Sequence, residues 1–207
     1  MTSPTPPSSA PRPYVWSRAQ YDHLLAAGVF AGKPVELVDG QVLDVVAPGS
    51  AHATAVARMV ACLTPMLEPG TLIRSQRALD LGALGQPMPD VAVVTGQAER
   101  YGDHHPTYAL LVVEVADVSL DYDRTHKARL YARAGLPDYW VLNLVDRQIE
   151  VYRQPSPTDY LEHTIYQAGD VVGPLAVRYE RLAVADVVPP LPAQEHNVTT
   201  LPEERTP

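Results

Sequence analysis

The chain alternates between segments whose apolar residues recur at helical spacing and short runs that are apolar at nearly every position. Ser17 to Ala27 is of the first kind. Ser17 and Gln20 form a capping-box pair, and Gly28 stands where a helix needs a left-handed residue to stop. "PVELVDGQVLDV" then predicts two strands around Asp39-Gly40, a dipeptide favoured in tight hairpins because both residues tolerate positive φ. A second helix is expected from Ser50 as its cap, with Val56, Met59, Val60 and Leu63 on one face and Pro65 disrupting it. "TLIRSQRALDLG" and "PDVAVVTG" read as strands. "YALLVVEVA" reads as a longer one, apolar enough to be buried on both faces.

A charged segment follows, predicted as a helix capped by Asp123 and running to Ala134, with Gly135 ending it. "DYWVLNLVDRQIEVYR" is expected to be a hairpin turning at Asp146-Arg147. "DYLEHTIY" and "LAVRYE" predict further sheet, and "ERLAVADVV" a last short helix. Hairpin, helix, strands, helix and hairpin in that order imply an α/β (α+β) architecture with a mixed sheet and helices against its faces. A doubly wound nucleotide fold is excluded, because no glycine-rich loop joins a strand to a helix.

With 207 residues the chain has room for one sizeable core. Ten of its 21 prolines fall in residues 1–13 and 189–207. Those ends have little to bury, so they are expected to be flexible tails flanking one domain over residues 14–188. A net charge of −8 argues against coating nucleic acid by bulk charge. The single Cys62 excludes an intramolecular disulfide and fits a reducing compartment, so a cytoplasmic location is expected. No apolar run reaches the roughly eighteen residues of a membrane span, and the first residues lack the apolar core of a secretory signal.

Two carboxylates stand where the apolar pattern has no place for them. Asp90 opens one strand, and Glu114 interrupts another between Val113 and Val115. A buried carboxylate is costly unless it is paired, hydrogen-bonded or bound to a cation. A structural ion pair is one reading. Two carboxylates on adjacent strands also make a hard-oxygen site suited to Mg²⁺ or Mn²⁺. Lys127 sits on the helix stripe shared with Leu130, Tyr131 and Ala134, whereas Arg129 and Arg133 point the other way. It is either a lysine with its stem on the core and its head in water, or one aimed at the carboxylates.

Four pieces taken together, Pro89-Asp90, "VVEVADVS", "YDRTHKARLYARAGLPDYWVLNL" and "VELVDGQV", resemble the Uma-type restriction endonucleases of the PD-(D/E)XK phosphodiesterase superfamily. The resemblance spans about Val35 to Arg153. It implies a restriction-endonuclease-like core that cleaves DNA phosphodiesters with Mg²⁺ or Mn²⁺ held by Asp90 and Glu114. Many members place a lysine two residues after the acid, where this chain has Ala116; the Uma-type pattern moves it to the next helix, onto Lys127. Glu36 matches an acidic residue of the early hairpin and becomes a candidate metal or water contact, against a solvent-facing strand position. His52, on the apolar face of the second helix, is a packed histidine or a phosphate or water contact. Gln76 is a candidate polar contact, and Tyr131 is either core or a hydrogen-bond donor to the site. His104-His105 reads as a surface loop, and Tyr139, Trp140 and Cys62 as packing. DNA is the expected partner, with pairing of two copies left open. A non-catalytic binding module on the same fold and a small-phosphoester hydrolase are the rival readings.

Overall fold

The computed structural model describes residues 12–45, 49–177 and 180–189. The two expected tails fall almost wholly outside the described residues. Helix α1 (Arg18–Ala26) starts at a complete capping box: Gln20 N–H donates to Ser17 Oγ, and the Gln20 side chain accepts from Ser17 N–H. Strands β1 (Val35–Val38) and β2 (Gln41–Asp44) form the predicted hairpin, with Asp39 at φ 48° and Gly40 at φ 76°. On the other side β1 pairs with the two-residue β4 (Gly85–Gln86), giving a three-stranded sheet in the order β2-β1-β4. Gly85 lies at φ 139°, and a Cβ there would collide with the Leu37 carbonyl oxygen, so only glycine lets β4 close on β1.

Six strands make the main sheet: β3 (Thr71–Ser75), β5 (Val91–Thr95), β6 (Leu111–Ala116), β7 (Asp138–Asn143), β8 (Gln148–Pro155) and β9 (Tyr160–Tyr166), in that spatial order. Only β6 and β7 run parallel. A parallel pair needs a crossover, and the charged segment after β6 supplies it. One face of the sheet, with Val91, Val113, Val115 and Trp140, packs on α2 (Ser50–Leu63) through Ala55, Val56, Met59 and Leu63. The opposite face, with Ala92, Val112, Tyr139 and Val141, packs on the crossover helix through Ala128, Leu130, Tyr131 and Ala132. Burial on both faces is why β6 and β7 are apolar almost throughout rather than alternating.

Several local expectations are corrected. Gly49, not Ser50, occupies the α2 cap position and makes no side-chain cap bond. Asp123 does not cap the crossover helix, which begins three residues earlier as α3 (Leu120–Tyr122). "LAVRYE" forms no strand among its described residues, 175–177 and 180; β10 (Val171–Val172) and β11 (Leu182–Ala183) pair instead, before α5 (Val184–Val187). A short strand-like pattern carries no information about whether a partner strand lies within reach. Asp138, fully buried, is compensated by Arg153 at 2.9 Å, Trp140 Nε1 at 2.8 Å and Leu175 N–H at 2.8 Å.

Candidate active site

Strands β5 and β6 place the two strand carboxylates. Their register pairs Val91 with Val113. One step further sets Asp90 against Glu114, on the sheet face shared by Ala92 and Val112. Directly opposed residues have Cβ atoms about 5 Å apart. Asp90 Oδ2 accepts the Val115 N–H at 2.9 Å and lies 3.1 Å from His52 Nε2. Glu114 Oε1 accepts from Lys127 Nζ at 3.1 Å and from Tyr131 Oη at 2.7 Å. Among the described residues, Asp90 Oδ1 and Glu114 Oε2 have no hydrogen-bond partner. Each carboxylate is therefore anchored through one oxygen and leaves the other free.

The helix that delivers Lys127 is irregular where it matters. Between α3 and α4 (Ala128–Arg133) lies one π-helical turn, Asp123–Lys127, in which Ala128 N–H reaches back to the Asp123 carbonyl. That carbonyl also accepts from Tyr139 Oη at 2.9 Å. The widened turn carries the Asp123 and Lys127 side chains inward, and both are buried. Lys127 Nζ lies 3.4 Å from Glu36 Oε1 and 3.9 Å from Asp123 Oδ1, in addition to Glu114. Three carboxylates from three separate elements thus surround one ammonium.

This charge balance shapes the protonation of the cluster. Burial works against the Lys127 ammonium, but Glu114, Glu36 and Asp123 overcome it and raise its pKa, so the lysine stays charged. The surplus negative charge has to be relieved elsewhere. Burial pushes Glu114 up to about 8 despite Lys127, with Asp123, Asp90 and Glu36 adding to the rise. Burial likewise lifts Asp123 to about 6, against Lys127 and the hydroxyl of Ser119, which donates to it at 2.6 Å. His52 is raised chiefly by its hydrogen bond to Asp90, against burial. The site is short of positive charge.

The other candidates resolve individually. Glu36 is buried, contrary to a solvent-facing position, because β1 is covered on both faces; its Oε2 accepts the Met88 N–H at 2.9 Å. His52 is partly buried against Asp90, and its Nδ1 has no partner. Gln76 lies opposite Asp90 when the β3–β5 register is extended one step, and its N–H donates to the Asp90 carbonyl at 3.1 Å. Its side chain is exposed and makes no hydrogen bond to the cluster among the described residues. Tyr131 is fully buried and combines both readings, packing its ring while its hydroxyl binds Glu114. Asp123 was missed. Its spacing of four from Lys127 was the available signal, since residues i and i+4 share a helix face. The cavity of about 440 Å³ beside Asp80, Leu81, Gly82, Thr107 and Ala134 is lined by none of these groups.

Among the described residues no three His, Cys, Asp or Glu side chains are grouped so as to hold a metal ion. The arrangement instead offers two unshared carboxylate oxygens, a charged lysine and a surplus of negative charge. The family model for Uma2, described as "Putative restriction endonuclease", matches residues 18–185. The chain belongs to the Uma2 family. A Uma2 assignment covers every residue of the cluster, from Glu36 to Tyr131. The fold is also that of a "putative nuclease belonging to DUF820" from Anabaena variabilis ATCC 29413, with a TM-score of 0.60 and 14% identity over 75% of this chain and 90% of that one. "Uncharacterized protein slr1290" of Synechocystis sp. (strain ATCC 27184 / PCC 6803 / Kazusa) is 38% identical over 84 residues. That match takes in 40% of this chain and 44% of the relative's length. Family and fold together place the chain in the restriction-endonuclease-like class. No helix among the described residues is long and apolar enough to cross a membrane.

Proposed function

We propose that this protein is a metal-dependent endonuclease that hydrolyses DNA phosphodiester bonds. The observation that carries the reading is the opposition of Asp90 and Glu114 across β5 and β6, with Lys127 fixed 3.1 Å from Glu114. Asp90 and Glu114 would hold Mg²⁺ or Mn²⁺ through their unshared oxygens, and water or substrate oxygens would complete the shell. The small hard cations accept such a mixed set. When bound, the metal supplies Lewis acidity toward the scissile phosphate and a water of lowered pKa. A divalent cation would also favour the ionised form of Glu114, which burial above all, and then Asp123, Asp90 and Glu36, opposes.

The chain's own groups do the remaining work. Val115 N–H and His52 fix the rotamer of Asp90, and Tyr131 and Lys127 fix that of Glu114. Lys127 is charged, so it acts by orienting water or offsetting developing negative charge, not as a base. Glu36 and Asp123 hold the ammonium in place. The test is nicking of supercoiled DNA by purified protein with and without Mg²⁺. Wild type should cut only with metal, and Asp90→Ala and Lys127→Ala should not cut. Equal residual cutting by all three would assign the activity to a contaminant.

The absence of a three-residue metal group among the described residues favours one alternative, a non-catalytic nucleic-acid- or protein-binding module on the same fold. Calorimetric titration with Mn²⁺ separates them. Heat of binding lost in Asp90→Ala supports the nuclease; no heat from folded wild type supports the binding module.

A further inference from the structure

A second carboxylate stands level with Glu114 in the main sheet. Glu114 on β6 is the register partner of Val141 on β7, and Val141 is in turn the partner of Glu150 on β8. The two glutamates thus lie in one row, on the sheet face covered by the crossover helix, with Val141 between them. Strand spacing sets their Cα atoms about 10 Å apart. Each takes a cation from the same π turn, Asp123–Lys127. Lys127 Nζ reaches Glu114 Oε1 at 3.1 Å. Arg124 reaches Glu150 with two nitrogens, Nε to Oε2 at 2.9 Å and Nη2 to Oε1. The turn therefore straddles β7 and is pinned on both sides of it.

The Glu150 side of this arrangement is tightly built. Glu150 is fully buried, and Asn143, Gln148 and Tyr152 also donate to its carboxylate, at 2.8, 3.1 and 3.2 Å. Those three belong to β7 and β8, so Arg124 alone among the four donors ties the carboxylate to the crossover. A bidentate guanidinium–carboxylate pair fixes orientation as well as distance. A π turn is rare, and its ring closes over one residue more than an α turn. Relaxing it to α-helical bonding would rotate one side against the other by about 100°. Helix α4 cannot make that rotation, because Ala128, Leu130, Tyr131 and Ala132 are buried in the core. The change would fall on Asp123 to Lys127, and so on the direction in which the ammonium points.

We propose that Arg124 and Glu150 are positioning residues for Lys127. Their bidentate pair clamps the π turn against β8 and so sets where the ammonium stands beside Glu114. The clamp rests on the geometry; its consequence for DNA cleavage rests on the nuclease reading above. The test follows the Lys127 ammonium resonance by NMR in the metal-free full chain. Cleavage kinetics are measured in parallel with saturating Mg²⁺, well below the unfolding temperature.

Arg124→Gln should displace the Lys127 resonance. It should also lower kcat on the order of a hundredfold, the effect of a reacting group misplaced by about 1 Å, with KM nearly unchanged. Arg124→Lys keeps the charge but not the fork, so it should give a smaller change in both readouts; it also decides the matter if Arg124→Gln does not fold. Arg129→Gln, on the outer helix face beside Asp159, should change neither. An unmoved Lys127 resonance in folded Arg124→Gln overturns the clamp. So does an unchanged kcat in that variant when wild type cuts DNA. A loss confined to KM would make Arg124 a substrate contact and overturn its positioning role. A displaced resonance in a protein unable to cut DNA would retain the clamp and remove the nuclease reading.

Discussion

Lys127 Nζ and Glu114 Oε1 lie 3.1 Å apart in a region where both side chains are almost wholly shielded from water. The strand contributes the carboxylate and the helix that follows it contributes the ammonium, so a single crossover joins both halves of the pair. Its energetics are not those of a surface ion pair. Desolvation opposes both charges, and removal of Lys127 leaves the carboxylates around it without their cation.

Lys127→Ala should therefore destabilise the fold as well as remove activity. Loss of one partner from a buried pair costs about 3–5 kcal/mol. Denaturant unfolding should report a midpoint shift of that size with an unchanged slope. Unaltered stability would show that the three carboxylates around Nζ are relieved by water in solution.

The cluster also fixes a pH dependence. Glu114 is raised to about 8 and Asp123 to about 6, both above their unfolded values near 4. Over that window the folded protein binds protons that the unfolded chain has released, so stability falls as pH rises from about 4 through about 8. Lys127, with its pKa raised, contributes in the alkaline range above this window. Urea unfolding in EDTA should show the decline for wild type and a shallower one for Glu114→Gln. Saturating Mg²⁺ should flatten it. Identical slopes for wild type and Glu114→Gln would exclude Glu114 as the titrating group.

Tyr131→Phe removes only the hydroxyl that donates to Glu114 at 2.7 Å and keeps the buried ring. Hydrogen bonds to a charged acceptor contribute about 1.5–3 kcal/mol. Cleavage kinetics should show a lower kcat with KM nearly unchanged, because the ring is fully buried. A change confined to KM would place Tyr131 in substrate binding instead.

A second buried carboxylate behaves oppositely. Burial opposes the charge on Glu150, but Arg124, Asn143 and Gln148 donate to it and bring it down to about 2. Its stabilising contribution is complete above about pH 4.5 and is lost as pH falls through about 2. Arg124→Ala should raise the pH of acid unfolding. It should cost about 2 kcal/mol at neutral pH, discounted because Arg124 is about a third exposed. Mn²⁺ binding should be untouched, since neither residue contacts the Asp90–Glu114 cluster.

Gly85→Ala tests the small sheet. Its positive φ and the Leu37 carbonyl leave no room for a methyl group. Strain of this kind costs about 1–3 kcal/mol. For a chain of this size that lowers Tm by about 2–12 °C. An unchanged Tm would mean that β4 separates from β1 at little cost.

The readable parts of the sequence were those where one local rule dominates. Continuous apolar runs marked β5, β6 and β7, and the same runs made Asp90 and Glu114 conspicuous. Helical periodicity turned Lys127 inward although a π turn lies in between. Asp123 was hidden because an aspartate near a helix start is ordinarily a cap, and nothing local reveals that the helix begins earlier. For Glu36 the sequence left a site contact and a solvent-facing position both open, because β1 is only four residues long. Its burial depends on β4 and the crossover helix, about fifty and ninety residues downstream.

Glu36, Asp90, Glu114 and Asp123 all precede Lys127 in the chain. During synthesis from the N-terminus every acidic member of the cluster is made before its one lysine. The β1 hairpin and the β5–β6 pair can form early, but docking Glu36 beside Glu114 before the crossover helix arrives would bury like charges together. Closing the cluster therefore depends on the charge of that one ammonium and not on apolar surface alone. A nascent or truncated chain lacking residue 127 would keep its acidic strands apart, and the cluster would close only on a chain long enough to complete it.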